Sequence, residues 1–238
     1  MAKSQFTQTF LERELPQLGI STPATTMLRF WTMLAHYHGG IWNAADPARS
    51  LGLSQPTVRR YLDLLSDLFI IRQLAPWHEN LKKRQIKSPK IYVRDSGLLH
   101  QLIGITTEKD LLSHPKSGSS WEDYAIEEVP RVARPSEAYF WATHTGAELD
   151  LLLMMKGRRI GVEVKRQDAP RLTPSMRSAM NDLRLDQLTV LYPGNAAYDL
   201  ADLVRVAPLA SLPDDDLSIL LPHRRGRSRR TSRAESRP

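Results

Sequence analysis

The residues that could do chemistry crowd into one stretch, Gly146 to Lys165. It carries Glu148, Asp150, Glu163 and Lys165 among apolar residues. Side chains alternate along a strand, so a strand through Glu148 to Met154 puts Glu148, Asp150, Leu152 and Met154 on one face. Leu149, Leu151 and Leu153 take the other. The return strand puts Ile160, Val162 and Val164 on one side, and Gly161, Glu163 and Lys165 on the other. Lys156-Gly157 between them suits a two-residue turn, because glycine adopts positive φ without steric cost. That turn brings Asp150 opposite Glu163. Directly opposed like charges destabilise a sheet. A divalent cation between the two carboxylates resolves the conflict; so, more blandly, does Lys165, diagonal to Asp150.

A third acid comes from a helix predicted over Trp121 to Val129, capped by Ser119 or Ser120 and stopped by Pro130. Glu122, Ala125, Ile126 and Val129 share its inward stripe, whereas Glu127 and Glu128 lie off it. A carboxylate on a buried stripe needs a partner. Alternatively, the helix dipole and an exposed first turn suffice for it.

The elements that must position these groups follow from the pattern. From residue 120 the order reads α-β-β-β-α-β: the Glu122 helix, a strand Ala138–Ala142, the hairpin, a helix Pro174–Leu185 and a strand Leu188–Tyr192. Leu203–Val206 is a further edge strand. Such an order makes one mixed sheet flanked by helices. Upstream, a weak helical period over residues 6–15 ends near Pro16, and Met27, Phe30, Trp31, Leu34 and Tyr37 mark a helix stopped by Gly39-Gly40. Asp46 caps a short helix with Pro47 at its first position, Gly52 turns the chain, and Ser54 caps a second helix. Val58, Leu62 and Leu65 point inward from that second helix. Gln55, Thr57, Arg59 and Arg60 point outward near its start, the arrangement with which a helix-turn-helix meets a major groove. Strands at Leu68–Leu74 and Ile91–Val93 then flank a segment holding Lys82, Lys83, Arg84, Lys87 and Lys90, which reads as a basic wing. These residues suit phosphate contact; packing against another protein is the competing use of a winged helix. His36 and His38 match no zinc spacing and read as structural.

The expected organisation is therefore α/β (α+β): a winged-helix domain over 1–105, an α-β-β-β-α-β domain over 106–213, and an Arg-rich tail over 214–238. The tail is expected to be disordered. His223 to Pro238 holds seven arginines and one acid, so it accounts for most of the net charge of +7 in the 238 residues. The high isoelectric point therefore says little about the folded part. The tail has the composition to add salt-dependent affinity for nucleic acid or an acidic membrane surface, or to be a solvated tail without function. There are no cysteines, which excludes disulfides and thiolate metal sites. No apolar run is long enough for a transmembrane helix and no signal peptide is read, so a cytoplasmic protein with no membrane partner is expected.

At Asp150…Glu163-Val164-Lys165, within that element order, the chain resembles the PD-(D/E)XK nuclease superfamily. More closely, it is similar to the C-terminal half of bacterial AAA-type ATPases. That half is a winged helix followed by a nuclease-like domain of unknown function. Besides the acid set, the motifs carrying this resemblance are Phe10-Leu11-Glu12-Arg13-Glu14-Leu15-Pro16, Leu53-Ser54…Thr57-Val58-Arg59-Arg60-Tyr61-Leu62 and Lys90-Ile91-Tyr92-Val93-Arg94-Asp95-Ser96-Gly97-Leu98. The resemblance implies a Mg²⁺-dependent (or Mn²⁺-dependent) nuclease. Asp150, Glu163 and Glu122 would hold the metal, and Lys165 would orient the attacking water or offset developing charge. It also implies a nucleic-acid partner, DNA in preference. The family's P-loop signature G-x-x-x-x-G-K-[ST] is missing from this chain. No ATPase activity is expected of it, and an ATPase partner would be a separate subunit. The alternative is a non-catalytic DNA-binding, docking or regulatory module of an ATPase system.

Overall fold

The computed structural model describes residues 7, 9–19, 22–78, 86–214 and 219–221. The wing residues Lys82, Lys83 and Arg84, and the Arg-rich segment from residue 222 onward, lie outside the described residues.

The first helical stretch runs through Phe10–Glu14 and Leu15–Gln17, so it passes Pro16 instead of ending before it. Proline is tolerated there because it sits in the first turn of the α-helical segment. α1 (Ala24–Tyr37) buries Met27, Phe30, Trp31 and Leu34, the predicted stripe. A short strand β1 (Gly40–Ile41) leads to α2 (Ala45–Leu51). Asp46 does not cap α2. It lies inside the first turn, and its Oδ2 accepts from the Tyr37 hydroxyl at 2.8 Å. Gly52 does make the turn, with φ of +66°. Ser54 does cap α3 (Gln55–Asp67): its hydroxyl accepts from the Thr57 N–H at 3.2 Å. β2 (Ile71–Leu74) and β3 (Lys90–Val93) pair antiparallel, and β1 joins β3, giving the order β1-β3-β2. β2 begins later than predicted, because Phe69 takes a positive φ of 59° and ends the preceding turn.

α4 (Ser96–Leu102) and α5 (Glu108–Ser113) connect to α6 (Ser117–Ala133). α6 is longer at both ends than the pattern suggests. It starts at Ser117 without a side-chain cap and runs through Pro130. Proline costs helix interiors a hydrogen bond, but Val132 and Ala133 beyond it are buried, and that burial holds the last turn in place.

β4 (Glu137–Ala142), β5 (Glu148–Met155), β6 (Arg158–Val164), α7 (Pro174–Asp182), β7 (Gln187–Tyr192), β8 (Tyr198–Ala201) and β9 (Val204–Pro208) complete the chain. The strands form one six-stranded sheet, ordered β4-β5-β6-β7-β9-β8. β6 runs parallel to β7 and β7 parallel to β9; the other pairs are antiparallel. A mixed α/β architecture is thus present, with the α-β-β-β-α-β order the sequence predicts. α6 covers one face through Ala125, Ile126 and Val129. α7 covers the other through Met176 and Ala179.

The two parts of the chain share structure. The segment after β2 runs along β4: the Phe140 N–H donates to the Ala75 carbonyl at 3.0 Å, and the Trp77 N–H to the Phe140 carbonyl at 2.7 Å. Leu74 and Tyr92 pack into the core between α6 and the large sheet. β3 therefore serves both parts, with Ile91 and Val93 in the N-terminal core and Tyr92 in the other.

Candidate functional site: a buried acid cluster with two lysines

The site is built on the β5–β6 hairpin. Lys156 and Gly157 have φ of 50° and 77°, the two positive values a tight hairpin turn of this kind needs. The register runs from Met155 opposite Arg158 to Leu151 opposite Val162, as the two-residue turn dictates. One step further, Asp150 lies beside Glu163. Asp150 does not simply face a like charge: its Oδ2 accepts from the Val164 backbone N–H at 2.8 Å.

The simple alternation expected of β5 fails at one point. The β4–β5 register shifts between Tyr139 and Trp141. A bulge adds a residue on one strand and rotates the side chains past it. Leu149 and Leu152 accordingly pack in the core under α7, whereas Leu151 and Leu153 pack under α6. The bulge spans Asp150, the residue that links the two halves of the cluster.

α6 supplies Glu122. Because the helix begins at Ser117, Glu122 lies past the first turn, so an exposed helix start does not account for it. Glu122 Oε1 accepts from the Tyr92 hydroxyl at 3.0 Å and lies 3.8 Å from Lys90 Nζ. Lys90 Nζ also forms an ion pair with Glu148. On the other side, Lys165 Nζ pairs with Glu163 Oε1 at 2.6 Å. Asp150 and Glu163 are buried, at 7% and 5% exposure. Glu163 Oε2 is buried with no hydrogen-bond partner.

The electrostatics follow from this crowding. Burial, then the Asp150 charge, push the Glu122 carboxyl up to about 7, against the pull of Lys90 and the Tyr92 hydroxyl. Burial and Asp150 push Glu163 up to about 8, with Lys165 opposing. Burial also raises Asp150, although Lys90, Lys165 and the Val164 N–H favour its charged form. Burial works against the ammonium of Lys90, but Glu122, Asp150 and Glu148 outweigh it and hold the group protonated. For Lys165 burial is likewise outweighed, chiefly by Glu163.

The structure thus brings Glu122, Asp150, Glu163 and Lys165 into one electrostatically linked group, but not as ligands around one point. Lys90 engages Glu122 and Glu148, Lys165 engages Glu163, and the charges of both lysines act on Asp150. Among the described residues no three His, Cys, Asp or Glu side chains are grouped so that they could hold one metal ion. The donor chemistry suits Mg²⁺, which prefers oxygen. The arrangement does not: an ammonium stands between Glu122 and Glu148, and Lys165 and the Val164 N–H each already engage one oxygen of Glu163 and Asp150. The oxygens engaged by Lys90, Lys165 and the Val164 N–H are not open to the expected metal, whereas Glu163 Oε2 is buried without a partner.

Sequence reasoning missed two members of this group, Lys90 and Tyr92. Lys90 reads as part of a basic wing, yet its side chain is 5% exposed and faces the acids. Tyr92 is fully buried beside it. A signal was available: alternation along Lys90-Ile91-Tyr92-Val93 puts Lys90 and Tyr92 on one face. Glu148, a weaker candidate from its face alone, is in direct contact.

The outward face of α3 is a separate locus. Gln55, Arg59 and Arg60 are exposed, and Thr57 is half-buried with its hydroxyl 2.8 Å from that of Ser54. Val58, Leu62 and Leu65 are buried beneath, as predicted. Arg59 and Lys87 line a cavity of about 300 Å³ together with Asp63 and Gln73. Among the described residues no helix is long and apolar enough to cross a membrane.

Two family profiles match the chain, one in each half. Residues 2–109 match a domain of unknown function (DUF8612), and residues 117–212 match another (DUF4143). The chain is 50% identical over 200 residues to an uncharacterized protein of Mycobacterium tuberculosis and, equally, to one of Mycobacterium bovis. The alignment covers 84% of this chain and 45% of each relative, so the chain spans about half the length of the curated relatives it matches. Among solved structures, a transcriptional regulator is similar at 22% identity and a TM-score of 0.25, over 55% of this chain and 90% of that one. That likeness is too slight to bear on function.

Proposed function

We propose that this chain is a nucleic-acid-binding module, with α3 as the element that meets the duplex and a PD-(D/E)XK-type domain docked behind it. The observation that carries the reading is the two-sidedness of α3: Val58, Leu62 and Leu65 are buried, while Gln55, Arg59 and Arg60 leave the surface unpaired to any acid among the described residues. Arginines so placed contact phosphates and fix register, and Gln55 and Thr57 stand where base edges would pass. The wing residues Lys82, Lys83 and Arg84 extend the same proposal.

The chemistry of the second domain is proposed to be docking, not hydrolysis, because Lys90 lies inside the acid cluster. DUF4143 is a domain typically found with AAA ATPases, which supports an ATPase as the partner of this module. Fluorescence anisotropy with a labelled DNA duplex tests the reading. Replacing both Arg59 and Arg60 by alanine is expected to weaken binding about equally across sequences and to reduce the salt slope by about 2. An unchanged slope rejects α3 as the contact. Plasmid nicking in Mg²⁺ or Mn²⁺ that disappears in both Asp150→Ala and Lys165→Ala would instead establish hydrolysis.

A further inference from the structure

Lys90 is an unusual residue to find inside an acid cluster of the second domain, because it belongs to the sheet of the first. It pairs with Ile41 on one side and Leu74 on the other, so its backbone is fixed in the middle of three strands. Its ammonium lies 5.5 Å from the centre of the Phe140 ring, on the strand that borders β5. From there it contacts Glu148 and approaches Glu122 to 3.8 Å. Its neighbour on the same strand face, Tyr92, spends its hydroxyl on Glu122. One short strand therefore brings both a cation and a hydrogen-bond donor to the acids, in addition to the Val164 N–H and Lys165 that act on Asp150.

We propose that the Lys90 ammonium is the resident cation of the Glu122–Glu148–Asp150 cluster and excludes a divalent ion from it. Asp150 is buried, Glu122 is partly so and Glu148 stays half exposed; carboxylates crowded around a buried one require positive charge close by. A metal ion is one source and a fixed ammonium another; the two compete for the same oxygens. A dication arriving here meets an ammonium already seated among those oxygens, on a strand paired along both edges. The cluster then holds the two parts of the chain together, where a free cluster would bind metal. This inference concerns the acids alone and is independent of nucleic-acid binding by α3.

Calorimetric titration of the full chain with Mn²⁺ tests it. Wild type is expected to show no binding that depends on Asp150. Lys90→Gln, folded by circular dichroism, is expected to take up Mn²⁺ about tenfold more tightly or better, and Lys90→Gln combined with Asp150→Asn to lose that gain. The inference is overturned if wild type binds Mn²⁺ as tightly as Lys90→Gln, or if folded Lys90→Gln binds no better than wild type. Should Lys90→Gln not fold, wild type against Asp150→Asn decides: Mn²⁺ uptake lost with Asp150 overturns it, and equal behaviour supports it. None of these outcomes moves the anisotropy result for Arg59 and Arg60, so the two readings fail separately.

Discussion

Acidification should weaken this fold through one histidine. His38 follows α1 and is fully buried. Its Nδ1 accepts from the Val93 N–H at 3.1 Å, and its Nε2 lies 3.3 Å from the Ser119 carbonyl, to which it donates. Both ring nitrogens are thus committed in the neutral ring, and a proton on Nδ1 would displace the Val93 donor. Burial, with Lys116 and His100 adding like charge, brings the ring down from 6.5 to about 4, even though the Ser119 carbonyl favours the charged form. Between those two values the unfolded chain takes up a proton that the folded chain refuses. The contribution is fully present above pH 6.5 and is lost as pH falls toward 4. The whole window amounts to about 3 kcal/mol, of which about 2 kcal/mol is gone by pH 5. Urea unfolding at pH 7.5 and pH 5, on wild type and His38→Gln, isolates the effect from the carboxylates, which titrate in both. Wild type should lose about 2 kcal/mol more than the variant between these conditions. Equal losses, or a His38 ring resonance titrating near its ordinary value, would refute the argument.

Other expectations follow from the same structure. Glu127 on α6 accepts from Arg72 Nη2 at 2.8 Å and from Arg94 Nε at 3.0 Å, which ties the helix to β2 and to the end of β3. Glu127→Gln should cost about 2 kcal/mol in denaturant unfolding, since two half-buried guanidinium groups lose their anion. An unchanged midpoint would show the pairs to be idle. At Gly161 an added Cβ would lie 2.5 Å from Leu185 Cδ1 and 2.9 Å from Leu188 Cδ1. Gly161→Ala should therefore lower stability by about 1–3 kcal/mol, and a neutral result would mean the leucines move aside freely. Gly157, at φ of +77°, has open space around it, so Gly157→Ala should cost only the strain of the turn, about 1 kcal/mol. A larger loss would point to a hairpin in which Gly157 does more than turn the chain.

Much of the fold is legible in the chain because its signals are local. The α1 stripe, the Ser54 cap, the Lys156-Gly157 turn and the hairpin register all follow from neighbours within a few residues. The errors have local causes overruled from a distance. Pro130 does not stop α6, because Val132 and Ala133 find burial beyond it. Asp46 does not cap α2, because the helix begins one residue before it. Leu149 leaves its expected face, because β5 carries an extra residue where it pairs with β4.

For the site, the sequence by itself determined which side chains carry charge on the hairpin and on the α6 stripe, since period and turn geometry place Asp150, Glu163, Lys165 and Glu122 without reference to the rest of the chain. Only the tertiary structure decided what neutralises them. Lys90 and Tyr92 come from a different sheet, 58 and 30 residues away from the acids they touch. No periodicity reaches across that separation; the contact exists because β3 buries Tyr92 under α6, and that burial carries Lys90 in with it.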